Sequence, residues 1–476
     1  LMRHLRRLIQ VAAWLLFVFL LLKTTFPLDA ALPVNLFLRM DPLLAVSTWI
    51  ASRKLEGLFL VSLITVGATL ILGRFFCGWI CPLGTTIDTA EKVLPLRNTA
   101  PLTHPNISNV RFVLLGGILL AAISGSAIVY FFDPLVIITR GFLLGIFAPA
   151  LRLLDFFSGH LPLLGNIRLT PIANPSFRHG GVFMLILLGI LLLSLIRRRF
   201  WCRYLCPLGA ILDLFARTAV WRKTVSDRCN ACQLCHKGCR MGGVSCIHCY
   251  TCVSLCPTRA VKFKFSLPQN RVLDAGGFSR SRRILLAGLG LGAGLAAIQK
   301  FGVGWIPPSS RLIRPPNALP GENFSASCIR CGECMKVCIT NGLQPVLLEG
   351  GLSQIWTPRL IPRKGHCEQR CNFCGRVCPS GAINPFSIEE KPRIILGLAR
   401  VERKSCVAWS RGSKCYICGE YCSYSAINPQ MQRGVPCPVV DSSRCTGCGL
   451  CEFGCPVQPD GAIRVYRNNS IVPWRS

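Results

Sequence analysis

Cys246, Cys249, Cys252, Cys256 and Pro257 spell C-x2-C-x2-C-x3-C-P. This is the run with which a chain wraps a [4Fe–4S] cluster, the fourth cysteine serving a neighbouring cluster. The chain holds 29 cysteines, and most of them follow this grammar. The other groups are Cys229, Cys232, Cys235, Cys239; Cys328, Cys331, Cys334, Cys338; Cys367, Cys371, Cys374, Cys378; Cys406, Cys415, Cys418, Cys422; and Cys445, Cys448, Cys451, Cys455. Six groups imply six [4Fe–4S] clusters and a carrier of single electrons. In the first two groups, exchange of the fourth ligand gives one centre to Cys229, Cys232, Cys235 and Cys256 and the other to Cys246, Cys249, Cys252 and Cys239. In the irregular group, Cys437 competes with Cys406 as ligand, with Cys406 favoured. Zinc would have no use for the C-x3-C-P tail. Disulfide scaffolds belong to short secreted chains with looser spacing.

A second cysteine pattern is duplicated. RFFCGWICPLGTTID (74–88) nearly repeats as RFWCRYLCPLGAILD (199–213), and an Asp-Pro-Leu precedes each copy, at Asp41 and at Asp133. The paired thiols lie four apart and share a helix face. Two parallel repeats would bring Cys77, Cys81, Cys202 and Cys206 together. Four convergent thiols could hold a further iron–sulfur centre; a redox-active thiol set and a Pro-capped structural turn are the other readings. Asp41 and Asp133 are candidates for proton handling or simply helix-start signals.

These groups need a scaffold. The chain has 476 residues, 51% of them hydrophobic, and a mean hydropathy of +0.45. Apolar spans occur near 8–26, 56–76, 111–132 and 181–196, with a fifth at 284–299. The segments 31–50 and 135–156 are interrupted and read as interfacial or re-entrant. Arg3, Arg6, Arg7, Arg74 and Arg197–Arg199 suggest a cytoplasmic N-terminus. The formal charge of +33 does not point to nucleic acid: each cluster with its thiolates carries about −2, so six offset about 12 charges.

The seven histidines fall outside the span centres, so no haem is expected on the chain. His160 and His179 are weak candidates for a quinol site. Cys232–His236 spells a haem c signal, but its cysteines are already needed by a cluster. Ser281-Arg282-Arg283 before a Gly/Ala/Leu-rich stretch resembles a twin-arginine export signal. The fold expected is multidomain. An all-α membrane core of two helix-pair repeats spans 1–220, and an α+β ferredoxin-like two-cluster module spans 221–275. An anchor helix spans 276–305, a Pro-rich linker 306–325, and a four-cluster ferredoxin-like domain 326–476.

With these motifs in place, residues 1–275 resemble the NapH family, whose membrane core NosR and the RdxA/CcoG proteins share. Residues 277–476 resemble NapG, and the whole resembles a NapH–NapG fusion. The resemblance implies a subunit of a membrane quinol dehydrogenase in a bacterial inner membrane. Its partners would be lipid and quinone, periplasmic cytochrome or reductase subunits, and a hetero-oligomeric complex. Its C-terminal domain would be periplasmic. It also implies nested cluster pairing: Cys328/331/334 with Cys455, Cys445/448/451 with Cys338, Cys367/371/374 with Cys422, and Cys406/415/418 with Cys378. The alternatives are an electron-conducting core of a larger respiratory assembly and a maturation or regulatory redox protein.

Overall fold

A computed structural model describes residues 2–25, 28, 32–53, 57–93, 109–125, 129–160, 175–241, 245–266, 286–294, 297 and 309–467. Contacts divide the chain into two units. One comprises Leu1–Leu22, Asn35–Gly141 and Val182–Lys300; the other comprises Lys23–Val34, Phe142–Gly181 and Phe301–Ser476. The segment 142–181, expected within the membrane core, therefore belongs with the C-terminal cysteines. The twin-arginine motif lies outside the described residues.

The first unit is helical. Its main helices are α1 (Met2–Lys23), α2 (Pro42–Ser52), α3 (Leu58–Leu72), α4 (Pro82–Val93), α5 (Val110–Ile123), α6 (Pro134–Arg140), α7 (Gly180–Ile196) and α8 (Pro207–Ala216). Sequence dictates their starts. Asp41 caps α2 and Asp133 caps α6, each accepting from two backbone N–H groups, with proline at the first helical position. Cys206 caps α8 ahead of Pro207, its sulfur accepting from Gly209 N–H at 3.2 Å. Helices α2 and α8 pack together, as do α4 and α6. The two strands β1 (Trp221–Val225) and β2 (Val261–Phe265) pair antiparallel, Trp221 opposite Phe265, and frame the two-cluster module.

Two helical runs are long and apolar enough to cross a membrane: Met2–Lys23, with 22 residues, and Pro134–Leu154, with 21. The second is unbroken where the sequence suggests an interrupted segment at 135–156. The chain there continues from α6 through a π-helical stretch, Gly141–Phe147, into a helix over Ala148–His160. A wider turn absorbs the glycines without breaking the run. The other expected spans form shorter apolar helices, Leu60–Leu72, Val110–Ile123 and Gly180–Ile196.

The glycine-rich stretch after the arginine pair is helical over 286–294. It packs against α5 through small residues: Gly288 meets Gly116, and Gly292 meets the carbonyl of Gly117. A Cβ at Gly292 would stand 2.9 Å from that oxygen and 2.7 Å from Leu120 Cβ, whereas one at Gly290 or Gly294 would meet nothing. Such small-residue faces let helix backbones approach closely. Gly292→Leu is expected to cost about 1–3 kcal/mol and to lower the thermal unfolding temperature of the purified chain. Gly290→Leu should leave it unchanged.

The second unit is built from short helices and two-stranded ribbons. Strand β3 (Leu343–Pro345) pairs with β4 (Pro358–Leu360), β5 (Leu398–Val401) with β8 (Ile463–Tyr466), and β6 (Ile427–Gln432) with β7 (Val435–Val440). The Pro-rich segment expected as a linker over 306–325 is instead, from residue 309, part of this unit. Leu312 and Ile313 are buried, Ile313 bridges to Leu360 and Ala318 to Ile383.

Candidate iron–sulfur centres

Four cavities in the second unit are lined by cysteines. Cavity I is bounded by Cys328, Cys331, Cys334 and Cys378. Cavity II is bounded by Cys338, Cys367, Cys371 and Cys374. Cavity III is bounded by Cys422, Cys445, Cys448 and Cys451, and cavity IV by Cys406, Cys415, Cys418 and Cys455. Each takes three thiols from one group and the fourth from an adjacent group. The nested pairing is therefore corrected. The first group exchanges with the second and the third with the fourth.

The remaining competition is resolved by placement. Cys406 lines cavity IV at the start of the short helix Val407–Arg411. Cys437 is buried in β7, opposite Gln430, and lines none of the four cavities.

The cavities form a succession. I and II share their two cysteine groups, as do III and IV. II and III are joined by the Cys367 N–H donating to the Cys448 carbonyl at 2.8 Å, and Tyr424 lies against both cysteines. Gly332, between two thiols of cavity I, packs on Leu144 of the π-helical stretch, and Lys336 lies over the Phe147 ring at 4.1 Å. The succession thus begins against an apolar helix of its own unit.

The thiols suit a cluster. The sulfurs of the donated cysteines accept backbone N–H groups: Cys378 from Ile383 at 3.4 Å, Cys422 from Ala426 and Cys455 from Ala462, both at 3.2 Å. Burial pushes the thiols of Cys331, Cys334, Cys374 and Cys451 well above their ordinary value. Ionising them calls for the positive charge that iron brings. In each set the four thiols stand around a cavity.

Lys391 is buried beside cavity II, its ammonium donating to the Glu368 carbonyl at 2.7 Å and to the Cys371 carbonyl. A fixed cation favours the more negative, reduced state of a cluster. Lys391→Met should lower the midpoint potential of that cluster alone in a redox titration followed by electron paramagnetic resonance. Sequence reading passed over this lysine because it lies seventeen or more positions from the thiols it faces.

In the first unit, Cys246, Cys249 and Cys252 stand with Cys239. Cys229 and Cys232 are exposed. Burial pushes the His248 imidazole down to about 4, so it is neutral. Its carbonyl accepts from the Trp79 indole at 3.0 Å, and Ile247 packs against Gly78. The two-cluster module is thereby seated on the first cysteine repeat.

The repeats place Cys77, Cys81, Cys202 and Cys206 in mutual interaction. Their arginines cross over. Arg199 of the second copy pairs with Asp88 of the first at 2.7 Å, and Arg74 reaches toward Asp213 of the second at 3.9 Å. Each guanidinium lies over the glycine of the other copy's Cys-Pro-Leu-Gly, Arg199 over Gly84 and Arg74 over Gly209. Arg6 and Arg240 also pair with Asp88, both at 2.7 Å. Arg6, Arg74 and Arg199 are 3%, 1% and 0% exposed. These three are therefore internal counter-charges, not markers of membrane sidedness.

Asp41 and Asp133 are buried together. His179 is exposed and belongs to the second unit. His160 ends a helix there, and its side chain is outside the described residues.

Comparison with known proteins points to the same cofactor class. A family profile described as "4Fe-4S binding domain" matches residues 55–99 and 180–226, the two cysteine repeats, and a second profile of the same description matches 438–459. The methylamine utilization ferredoxin-type protein MauM of Methylophilus methylotrophus is 34% identical over 163 residues, covering 33% of this chain and 71% of that protein. The chain belongs to the ferredoxin-type MauM/NapG family. MauM of Paracoccus denitrificans is 33% identical over 39% of this chain and 87% of its own length. The ferredoxin-type protein NapG of Escherichia coli K12 is 32% identical over 32% of this chain and 69% of its own. No solved structure matches. As a MauM/NapG-type ferredoxin, the chain is a [4Fe–4S] electron-transfer protein.

Proposed function

We propose that the chain is the iron–sulfur electron-transfer subunit of a membrane quinol dehydrogenase, passing electrons between the quinone pool and a periplasmic redox partner. The observation that carries this reading is the succession of cavities I to IV starting against the helical run Phe142–His160. A cluster, when bound, accepts and releases one electron. The protein's contribution is to hold such groups in series, exclude water from their thiols and set their potentials through N–H donors and cations such as Lys391.

The reading includes six clusters, four in the cavities and two in the module after residue 220, and a seventh iron–sulfur centre held by Cys77, Cys81, Cys202 and Cys206. The buried thiols, the cationic rim of Arg74 and Arg199 and the matched profile support that seventh centre. The long apolar helices and the glycine-packed helix support an integral inner-membrane protein of NapH–NapG type.

The purified chain in detergent, given a short-chain quinol, should show bleaching of its cluster absorbance within turnover time. Bleaching by dithionite but not by quinol would overturn the dehydrogenase reading and favour a conducting core that needs partner subunits.

A further inference from the structure

The two repeats meet at a second place besides the thiols. Asp41 and Asp133, one from each Asp-Pro-Leu, are both 0% exposed. The Oδ1 of Asp41 accepts from Leu43 and Leu44 N–H at 2.8 and 3.2 Å, and the Oδ1 of Asp133 accepts from Leu135 and Val136 N–H at 2.9 and 3.0 Å. The other oxygen of each carboxyl is fully buried and finds no donor, and the two carboxyl groups lie within hydrogen-bonding reach of each other. Two carboxylates are acceptors only. They can bond to each other only through a proton, and two like charges in contact do not both ionise.

A helix cap alone does not call for this arrangement, since asparagine, serine or threonine would cap as well without facing charge to charge. Both repeats nevertheless bring an ionisable group to the same point. The same two segments meet again where Thr48 Oγ1 and the Tyr130 hydroxyl stand 3.1 Å apart.

The helices that the two aspartates cap lead to the thiols. Helix α2, headed by Asp41, packs on α8, headed by Cys206; α6, headed by Asp133, packs on α4, which follows Cys81. Most other charged groups on the packed elements have partners of their own. Asp88 is held by Arg6, Arg199 and Arg240, Glu91 accepts from the Arg199 backbone, Asp213 pairs with Arg111, and Arg39 donates to Asn35. Lys92 of α4 is exposed. Arg140 is the cation that acts on Asp133.

We propose that Asp41 and Asp133 form a proton-binding pair that holds one shared proton and takes up a second when an electron is delivered to the four-thiol core. The added electron brings one negative charge. One proton from water converts the acid–carboxylate pair into two neutral acids, so charge and protons balance, and reoxidation releases that proton. The uptake half rests on the reading that the four thiols hold a redox centre. It also fits a donor such as quinol, which gives up electrons and protons together.

The test is infrared spectroscopy of the full chain in detergent, oxidised and dithionite-reduced, in H2O and D2O, for the parent, Asp41→Asn and Asp133→Asn. The carboxamide keeps the cap and can donate to the facing carboxylate without a proton, so both variants should retain the parent's iron content. The parent should show a deuterium-sensitive carboxylic-acid C=O band in the oxidised state that grows on reduction, and both variants should lose it. Absence of any band that both variants remove overturns the shared proton. A band that reduction leaves unchanged overturns the uptake. The iron content of Cys77→Ala then separates causes. Iron lost relative to the parent means the centre exists and the coupling failed; unchanged iron means the redox-centre reading failed.

Discussion

Asp88→Asn is expected to destabilise the first unit by about 3–5 kcal/mol, the range for removing one partner of a buried ion pair. Three guanidiniums converge on this carboxylate at 2.7 Å, and its side chain is 9% exposed. Burial alone would push the carboxyl up, but Arg199, Arg240 and Arg6 hold it below the usual carboxylate range. The asparagine leaves those cations facing a neutral amide. At the equivalent position of the other repeat the same change should cost less. Asp213 is 16% exposed, with Arg111 at 2.7 Å and Arg74 only at 3.9 Å. Thermal unfolding and yield of the two variants measure the difference; equal losses would show that the crossed pairs carry equal weight.

Ligand exchange should be readable from iron content alone. Cys331→Ala and Cys378→Ala each empty cavity I, so the double variant should lose one cluster's iron. Cys378→Ala combined with Cys418→Ala strikes cavities I and IV and should lose two. Nested pairing reverses both outcomes, because it places Cys378 with Cys418 and assigns Cys455 to the site of Cys331.

Much of this was legible in the spacing of thiols. Membership of the four cavities follows largely from C-x2-C pairs, which curl sulfurs around one point whatever lies beyond; Cys367, four positions ahead of Cys371, and Cys406, nine ahead of Cys415, join from outside such a pair. The origin of the fourth ligand is a tertiary property: it depends on which local folds dock, and nothing within the run of Cys328–Cys338 encodes Cys378. The same limit applies to charge. Arg6 and Arg74 look like flanking charges of apolar spans, yet their partners lie 82 and 139 positions away, and only the crossing of the repeats shows them to be internal. The prolines of 309–325 have the composition of a stiff spacer, but Leu312 and Ile313 between them supply apolar surface that the cysteine-lined unit buries. The duplication itself was plain from near-identical copies. That Asp41 and Asp133 would face each other was not, because the spacing from each Asp-Pro-Leu to its cysteines differs between the copies.

The most direct test of a single-file electron path is to cut it in the middle. Cys448→Ala with Cys451→Ala empties cavity III without touching the thiols of I, II or IV. Rapid-freeze electron paramagnetic resonance after mixing with quinol should then show the clusters of cavities I and II reduced while that of cavity IV stays oxidised. Reduction of the cavity IV cluster at the rate of the parent chain would contradict a path that runs through the four cavities in order.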